Sequence, residues 1–186
     1  MDVMRLSTYT SIVELIQPSA KFKDSYLAAI REFQNDPDFP PRHIEVDTRL
    51  LENDFDSFVT REIEQAEGKN LSEGFVPQSV FWLVDGGEYI GKTSIRHRLT
   101  EHLLKTGGNI GYEIRPTKRR RGYGTALLKL AIAKAKELGI EKLLLTCDST
   151  NSASRRIIEN AGGVFESEGP PEKPGGPNKN RYWIQA

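Results

Sequence analysis

The segment Arg115–Leu128 holds the residues whose types and spacing best suit chemistry. Its sequence, RPTKRRRGYGTALL, crowds five basic side chains just before Gly122 and Gly124, where a helical pattern begins. Glycines let the main chain turn sharply and come close to a ligand. The N–H groups at a helix start bind anions such as phosphate, and guanidinium groups add charge-assisted hydrogen bonds. The segment therefore predicts a strand–loop–helix site for a multiply phosphorylated cofactor.

Two standard phosphate motifs compete with this interpretation. The dinucleotide fingerprint GxGxxG fails, because Leu127 stands where the third glycine belongs. Gly86–Thr93 (GGEYIGKT) matches the P-loop pattern, and Leu143–Asp148 could end in a magnesium-binding aspartate, so a nucleotide hydrolase is an alternative. We disfavour it because a P-loop opens directly into a helix, whereas Glu88–Arg96 follows a turn and has the pattern of a hairpin strand.

Composition bounds the class of protein. The 186 residues fit one domain, predicted to span residues 1–186 with a cofactor-binding core at about 79–167. Lys plus Arg and Asp plus Glu are both 26, and this zero net charge disfavours nucleic acid and membrane surfaces as partners. A single cysteine excludes a disulfide framework and a multi-cysteine metal site. Without an apolar run of membrane length or a signal-peptide layout, we expect a cytoplasmic protein that holds no metal.

The elements that position the anion site follow from hydrophobic spacing and from glycine and proline turn signals. The predicted strands are Ser11–Gln17, Ser79–Val84, Glu88–Arg96, Asn109–Arg115, Leu143–Leu145, Val164–Ser167 and Arg181–Gln185. The predicted helices are Lys21–Asn35, Thr48–Glu67, Gly124–Leu138 and Asn151–Ala161, with one helical turn at Thr100–Lys105. Hairpins early and strand–helix–strand units late predict a three-layer α/β or α+β domain.

The residues around this site resemble the GCN5-related N-acetyltransferases (GNAT). Arg119–Gly124 (RRRGYG) fits the (R/Q)-x-x-G-x-(G/A) motif of that family, and Tyr112–Pro116 resembles the strand before it. Asn151 resembles the asparagine of a later family motif, and the resemblance runs from about Ser79 to Phe165. It implies a three-layer α/β/α fold, whose mixed but mostly antiparallel central sheet is splayed between its fourth and fifth strands.

The resemblance also implies acetyl-CoA as cosubstrate and a primary amine as acceptor, with direct attack in a ternary complex. The main-chain N–H groups from Arg120 to Thr125 would hold the diphosphate, and Tyr112–Ile114 would pair with the pantetheine arm like an added strand. Asn151 would contact the arm near the sulfur. The implied cofactor-binding residues are Tyr112, Glu113, Ile114, Arg119, Arg120, Arg121, Gly122, Tyr123, Gly124, Thr125 and Asn151.

Fewer of the family's catalytic residues have a counterpart in this chain. The main-chain N–H of Ile114 is the candidate donor to the oxyanion, and Glu113 is a candidate base. Many GNAT members carry a tyrosine that acts as general acid where this chain has Ile158. Some carry a catalytic glutamate where it has Thr146. Water or the product ammonium could then protonate the thiolate. The missing groups also keep open a non-catalytic acyl-CoA sensor as an alternative.

Other polar residues receive structural interpretations. We expect Asp148 to cap the following helix, because Asp-Ser-Thr-Asn suits a helix start. Cys147 is interpreted as buried, His97 as a surface or packing residue, and Tyr182 and Trp183 as core aromatics.

Acidic residues predict one wall of the acceptor site. Those near the first two helices are Asp36, Asp38, Glu45, Asp47, Glu52, Asp54 and Asp56. Such a wall would attract a cationic amine, although a solvated helix face explains it equally well. The acceptor stays open between a small-molecule amine and a protein amine, and a homodimer is possible.

Overall fold

Two antiparallel sheets form the centre of the molecule. The computed structural model describes residues 13–36, 48–69 and 71–186. The first sheet has four strands in sequence order, β1 (Glu14–Ile16), β2 (Gln78–Asp85), β3 (Glu88–Arg96) and β4 (Ile110–Ile114). The second sheet has three, in the order β5 (Lys142–Asp148), β7 (Lys179–Gln185) and β6 (Val164–Gly169). The start of the predicted first strand lies outside the described residues.

Five α-helices accompany the sheets in the described part of the chain. They are α1 (Lys23–Gln34), α2 (Thr48–Asn53), α3 (Phe55–Glu64), α4 (Tyr123–Glu137) and α5 (Ser152–Asn160). The single helix predicted at Thr48–Glu67 is wrong, because the chain leaves helical geometry at Asp54, with φ −141° and ψ 53°. Asn and Asp favour helix ends over helix interiors, so the adjacent Asn53 and Asp54 divide the segment. The turn predicted at Thr100–Lys105 is a π-helical segment, Leu103–Gly107.

Helices cover both faces of the first sheet, which confirms the predicted three layers. Trp82 and Leu83 are adjacent on β2 and therefore point to opposite faces. Trp82 packs under α1 and α3 in an aromatic cluster, where its ring stacks on Tyr26 with centroids 4.8 Å apart. Leu83 packs instead with Leu127 of α4. Each layer is thus held by the burial of apolar side chains on its own face of the sheet.

The two sheets meet at one point and then separate. The Asn109 N–H donates to the Leu144 carbonyl at 2.6 Å, and the Leu144 N–H donates to Asn109 Oδ1 at 2.8 Å. Gly108 has φ +66°, and a side chain there would collide with the Leu144 carbonyl. Beyond this point, β4 and β5 share no main-chain hydrogen bond in the part of the chain that the structure describes. The predicted splay between the fourth and fifth strands is confirmed.

None of the described helices is both long and apolar enough to cross a membrane.

Candidate functional site

A loop with unused main-chain donors connects β4 to α4. Gly122 is the N-cap of α4 with φ +84°, and Arg120 also has a positive φ, +60°. A left-handed residue beside a right-handed one turns successive N–H groups toward a common centre. The N–H groups of residues 120–125 donate to no acceptor among the described residues. The loop therefore presents a concave set of donors at a helix N-terminus, which suits a phosphate.

The basic side chains around this loop fall into two sets. Three of them form ion pairs, namely Arg115 with Glu32 at 2.6 Å, Lys118 with Glu88 at 2.5 Å and Arg119 with Asp36 at 2.6 Å. Arg120 and Arg121 are exposed, and neither forms an ion pair with any described residue. The positive charge that can reach a ligand therefore belongs mainly to Arg120 and Arg121.

Neighbouring elements hold the loop from two sides. The Tyr123 hydroxyl donates to Asp85 Oδ2 at 2.5 Å, and this hydrogen bond raises the pKa of Tyr123. Asp85 ends β2, so the hairpin turn braces the loop there. On the other side, Glu32 of α1 accepts from the main chain and the hydroxyl of Thr117. The donors at the helix start thus sit on a preorganised frame.

The main chain of β4 alternates between β3 and the splay. The Arg115 N–H donates to the Ile90 carbonyl at 2.8 Å. Bonded pairs recur at every second residue of an antiparallel ladder, so the main chain of Glu113 also faces β3. Tyr112 and Ile114 turn their N–H groups toward the splay instead. An extended ligand in the splay can therefore meet the main chain of these two residues, while Glu113 can contribute only its side chain.

Two hydroxyl groups meet across the splay. Tyr112 Oη lies 2.8 Å from Ser154 Oγ in the first turn of α5. Burial raises the pKa of Tyr112 to about 12, so its phenol stays protonated near neutral pH. Burial also raises the pKa of the nearby Cys147 thiol, and a hydrogen bond with Ser154 opposes that shift. The family pattern does not predict this pair, because it places a tyrosine on the helix, whereas this one comes from the strand opposite.

The start of α5 corrects one prediction. Asn151 is the N-cap, and its Oδ1 accepts the Ser154 N–H at 2.9 Å. The prediction that Asp148 caps this helix is wrong, because Asp148 forms an ion pair with Lys179 at 2.7 Å. Asn151 orients the first turn of α5, and its contact with a pantetheine arm stays a prediction.

The remaining candidates serve packing or local bonding. Cys147 and Tyr182 are buried, as expected, whereas Trp183 is only partly buried and donates to Glu166 Oε1 at 2.8 Å. The Thr146 hydroxyl donates to the Thr106 carbonyl at 2.8 Å. His97 Nε2 lies 2.8 Å from Ser79 Oγ, and burial lowers the pKa of this histidine.

The predicted acidic wall takes a different form. Asp36 and Glu52 form ion pairs with arginines, Asp54 and Asp56 are exposed, and the three others lie outside the described residues. Glu62 of α3, which is not among the predicted acidic residues, is only 8% exposed and faces the sheet. The helical spacing of Glu62 with Phe55 and Val59 was the signal that could have placed it inward.

The P-loop alternative loses its geometric basis. The matching residues, Gly86–Thr93, form the turn and the middle of the β2–β3 hairpin. Lys92 stands in a strand opposite Trp82, and its Nζ lies 3.7 Å from Glu62 Oε2. No helix follows the motif, so its glycines and lysine cannot cradle a phosphate at a helix start.

Comparison with known proteins agrees with this geometry. A family model described as an acetyltransferase (GNAT) domain matches residues 20–164. RimL, a ribosomal L7/L12 alpha-N-protein acetyltransferase in complex with coenzyme A, has a similar structure, with TM-score 0.66, 16% identity and coverage of 95% of this chain and 94% of that chain.

Two further solved structures have the same fold. The microcin C7 self-immunity acetyltransferase MccE, in complex with acetyl-CoA and AMP, has TM-score 0.66 and 16% identity, with coverage of 94% of this chain and 92% of that chain. A chimera of the spermidine N-acetyltransferase SpeG from Vibrio cholerae and hSSAT has TM-score 0.62 and 15% identity, with coverage of 93% and 95%. A search of curated protein sequences found no significant match. Because the family model spans most of the chain, this protein belongs to the GCN5-related N-acetyltransferase family of acetyltransferases.

Proposed function

We propose that this protein moves an acetyl group from acetyl-CoA to a primary amine by direct attack in a ternary complex. The observation that carries the proposal is the run of N–H groups at residues 120–125 without acceptors, placed where the splay between β4 and β5 opens. RimL and MccE, which share the fold, are in complex with coenzyme A and acetyl-CoA respectively.

The described residues suit each part of the cosubstrate. The N–H groups of residues 120–125 would bind the diphosphate, and Arg120 and Arg121 would add charge at the exposed phosphates. The main chain of Tyr112 and Ile114 would pair with the pantetheine amides in the splay. This arrangement would bring the thioester toward Ser154 and the capping residue Asn151.

The chemistry then needs three small contributions from the protein. The neutral amine attacks the thioester carbonyl, and the Ile114 N–H stabilises the oxyanion that forms. When the carbon–sulfur bond breaks, the Tyr112–Ser154 pair supplies a proton to the departing thiolate. Glu113, on the opposite face of β4, is the candidate to accept the proton that the amine loses. Much of the acceleration would come from holding the two substrates together.

The proposed acceptor is a primary amine of a protein or of a small molecule. RimL is a ribosomal-protein acetyltransferase, and SpeG is a spermidine acetyltransferase. The shared fold therefore accommodates both protein amines and small amines, and the proposal covers a primary amine of either kind.

Calorimetric titration with acetyl-CoA, followed by an assay of amine-dependent thiol release, tests the proposal. We expect saturable binding and release of free CoA only when an amine is present. Binding without turnover across a wide amine panel would support the sensor alternative instead. Absence of acetyl-CoA binding would contradict both.

A further inference from the structure

We propose that Lys179 of β7 is a positioning residue for the reaction: its ammonium group holds the β5–α5 turn, and through that turn it keeps Ser154 against Tyr112. The β5–α5 turn denotes residues 148–151, which connect β5 to the first residue of α5. The proposal rests on the proposed function, because it gives Lys179 a part in protonating the departing thiolate. It starts from a largely buried cation that bridges two carboxylates beside this turn.

The Lys179 ammonium group is enclosed and paired twice. Its side chain is only 12% exposed, and its Nζ lies 2.7 Å from Asp148 Oδ1 and 3.0 Å from Glu172 Oε2. Asp148 stands opposite Lys179 in the β5–β7 ladder, whereas Glu172 belongs to the β6–β7 loop, residues 170–178. Charge-assisted hydrogen bonds are roughly twice as strong as neutral ones. Lys179 therefore ties the end of β5 to this loop at a single point.

The β6–β7 loop depends on polar contacts for its position. Every residue from 172 to 178 is exposed, so burial of apolar surface contributes little to holding this part of the loop. The Asn178 carbonyl accepts the Ser149 N–H at 2.8 Å, and Glu172 accepts from Lys179 at 3.0 Å. The loop thus rests against the β5–α5 turn through a main-chain hydrogen bond and through the Lys179 ammonium group.

A short series of contacts leads from Lys179 to the hydroxyl pair. The Asn151 N–H donates to the carbonyl of Asp148, the ion-pair partner of Lys179, at 2.8 Å. Asn151 Oδ1 accepts the Ser154 N–H at 2.9 Å, and Ser154 Oγ lies 2.8 Å from Tyr112 Oη. Hydrogen bonds between hydroxyl groups weaken steeply with distance and angle. A small displacement of the turn would therefore separate the two hydroxyls.

The loss of Lys179 should affect this geometry more than it affects stability. The side chains of its two partners keep contact with water, since Asp148 is 39% exposed and Glu172 is 56% exposed. In Lys179→Met, neither carboxylate would be left as a buried charge without a partner, which is the costly case. Methionine also retains the apolar stem of lysine. We therefore expect the variant to fold with a less firmly held turn.

Arg181 of β7 provides a matched control. It lies two residues beyond Lys179, so both side chains point to the same face of the sheet. Arg181 also forms an ion pair, in which Nη2 lies 3.0 Å from Glu166 Oε2. Because Glu166 belongs to β6, Arg181→Met removes a similar ion pair without altering the Lys179 contact with the turn.

Steady-state kinetics of Lys179→Met, Lys179→Arg and Arg181→Met test the proposal. Lys179→Met should lower kcat about tenfold with little change in the KM for acetyl-CoA, because the donors at residues 120–125 stay in place. Lys179→Arg should retain most of the wild-type kcat, since a guanidinium group can pair with both carboxylates. Arg181→Met should retain it as well. Equal loss of kcat in Lys179→Met and Arg181→Met would overturn the proposal.

A double variant shows whether Lys179 acts through the hydroxyl pair. Residues that act as one unit have non-additive effects. Adding Lys179→Met to Tyr112→Phe should therefore lower kcat no further, because the pair is already absent. A second loss of about tenfold in the double variant would overturn the proposal.

Amide hydrogen exchange of the Ser154 N–H, followed by NMR, tests the positioning without activity. Lys179→Met should exchange this proton at least about tenfold faster than the wild type, and Arg181→Met should not. An unchanged rate in Lys179→Met would overturn the proposal, whether or not amines are acetylated. Faster exchange in a protein that acetylates no amine would support the positioning contact and contradict the proposed function.

Asp148→Asn makes the same test if Lys179→Met fails to fold. It removes the charge on the turn and keeps the shape of the side chain. We expect faster exchange of the Ser154 N–H and a lower kcat in this variant too. Wild-type values of both would overturn the proposal.

Discussion

At the residue scale, positions of the same residue type serve different purposes. Arg119 forms an ion pair with Asp36 and donates to the Ile114 carbonyl, so it ties the loop to α1 and β4. Arg121 is two residues away, exposed, and without an ion pair to any described residue. The family motif alone treats both as cofactor contacts, whereas their surroundings separate a positioning arginine from one that can reach phosphate.

This difference predicts opposite readouts for two alanine variants. Arg121→Ala should weaken acetyl-CoA binding about fivefold to 100-fold, with a smaller effect at high salt, and leave the Tm unchanged. Arg119→Ala should lower the Tm, because Asp36 loses its ion-pair partner. Calorimetry at two salt concentrations and thermal melts check both. A stable Arg119→Ala protein with normal Tm would contradict the positioning role.

The hydroxyl pair gives a second prediction at this scale. Tyr112→Phe and Ser154→Ala should each lower kcat about tenfold to 100-fold, with little change in KM for acetyl-CoA, because the thiolate loses its proton donor. Since the pKa of Tyr112 is raised to about 12, the phenol stays protonated below that pH, and the pair should not cause a loss of kcat between pH 7 and about pH 10. Ser152→Ala, in the same turn, is the control. Equal kcat in all three variants would exclude the pair from catalysis.

At the scale of elements, the start of α4 depends on a left-handed glycine. Gly122 has φ +84°, and no atom lies within 4 Å of where its Cβ would stand. An alanine there would be strained by its backbone rather than by a collision. Gly139, at the other end of α4, has φ +78° and equally open surroundings, so it provides a matched control.

Gly122→Ala and Gly139→Ala should therefore both lose about 1–2 kcal/mol of unfolding free energy from left-handed strain. Only Gly122→Ala should also weaken acetyl-CoA binding, because only the N–H groups at the start of α4 face the expected diphosphate. Urea denaturation and calorimetry measure the two effects. Equal loss of cosubstrate affinity in both variants would contradict the assignment of the diphosphate site.

Gly124→Val tests the same assignment through packing. A Cβ at Gly124 would lie 2.8 Å from Ile157 Cδ1 of α5, so either the Ile157 side chain or the first turn of α4 must move, and the two methyl groups of valine add to the crowding. Acetyl-CoA affinity should fall, because a side chain at Gly124 crowds the place where the expected diphosphate meets the main chain. Unchanged affinity would contradict the assignment.

At the scale of the whole molecule, Asn109 joins the two sheets where the splay begins. Its Oδ1 accepts the Leu144 N–H, and its Nδ2 donates to the Arg96 carbonyl at 3.3 Å. The residue is only 4% exposed. A small polar side chain thus sets where the sheets touch and where the cleft opens.

Asn109→Ala should lower the free energy of unfolding by about 1–3 kcal/mol, because it leaves the buried Leu144 N–H without an acceptor. It should also raise the KM for acetyl-CoA, since the width of the splay is no longer held. Urea denaturation and steady-state kinetics provide the measurements. A normal unfolding free energy would show that the main-chain bond alone joins the sheets.

The possible homodimer stays a prediction, which light scattering tests.

Local patterns were enough to predict the strand–loop–helix unit at Arg115–Leu128 and the hairpin, because each depends on residues close together in sequence. The three layers were predicted from the order of strands and helices along the chain. The break at Asp54 was not predicted because the helical spacing of apolar residues continues across it, so the pattern gives no sign that the helix ends there. Asp148 was misassigned because several residues near a helix start can serve as its cap, and the choice depends on Lys179, which is distant in sequence.

The amino-acid sequence by itself determined the family and located the loop that we expect to bind a diphosphate, since glycines, basic residues and a helix start lie within about ten positions of one another. Tertiary structure alone decided which charges remain available, which hydroxyls meet across the splay, and that Glu62 turns inward toward Lys92. These outcomes join residues from separate strands and helices, and only packing brings such groups within hydrogen-bond or ion-pair distance.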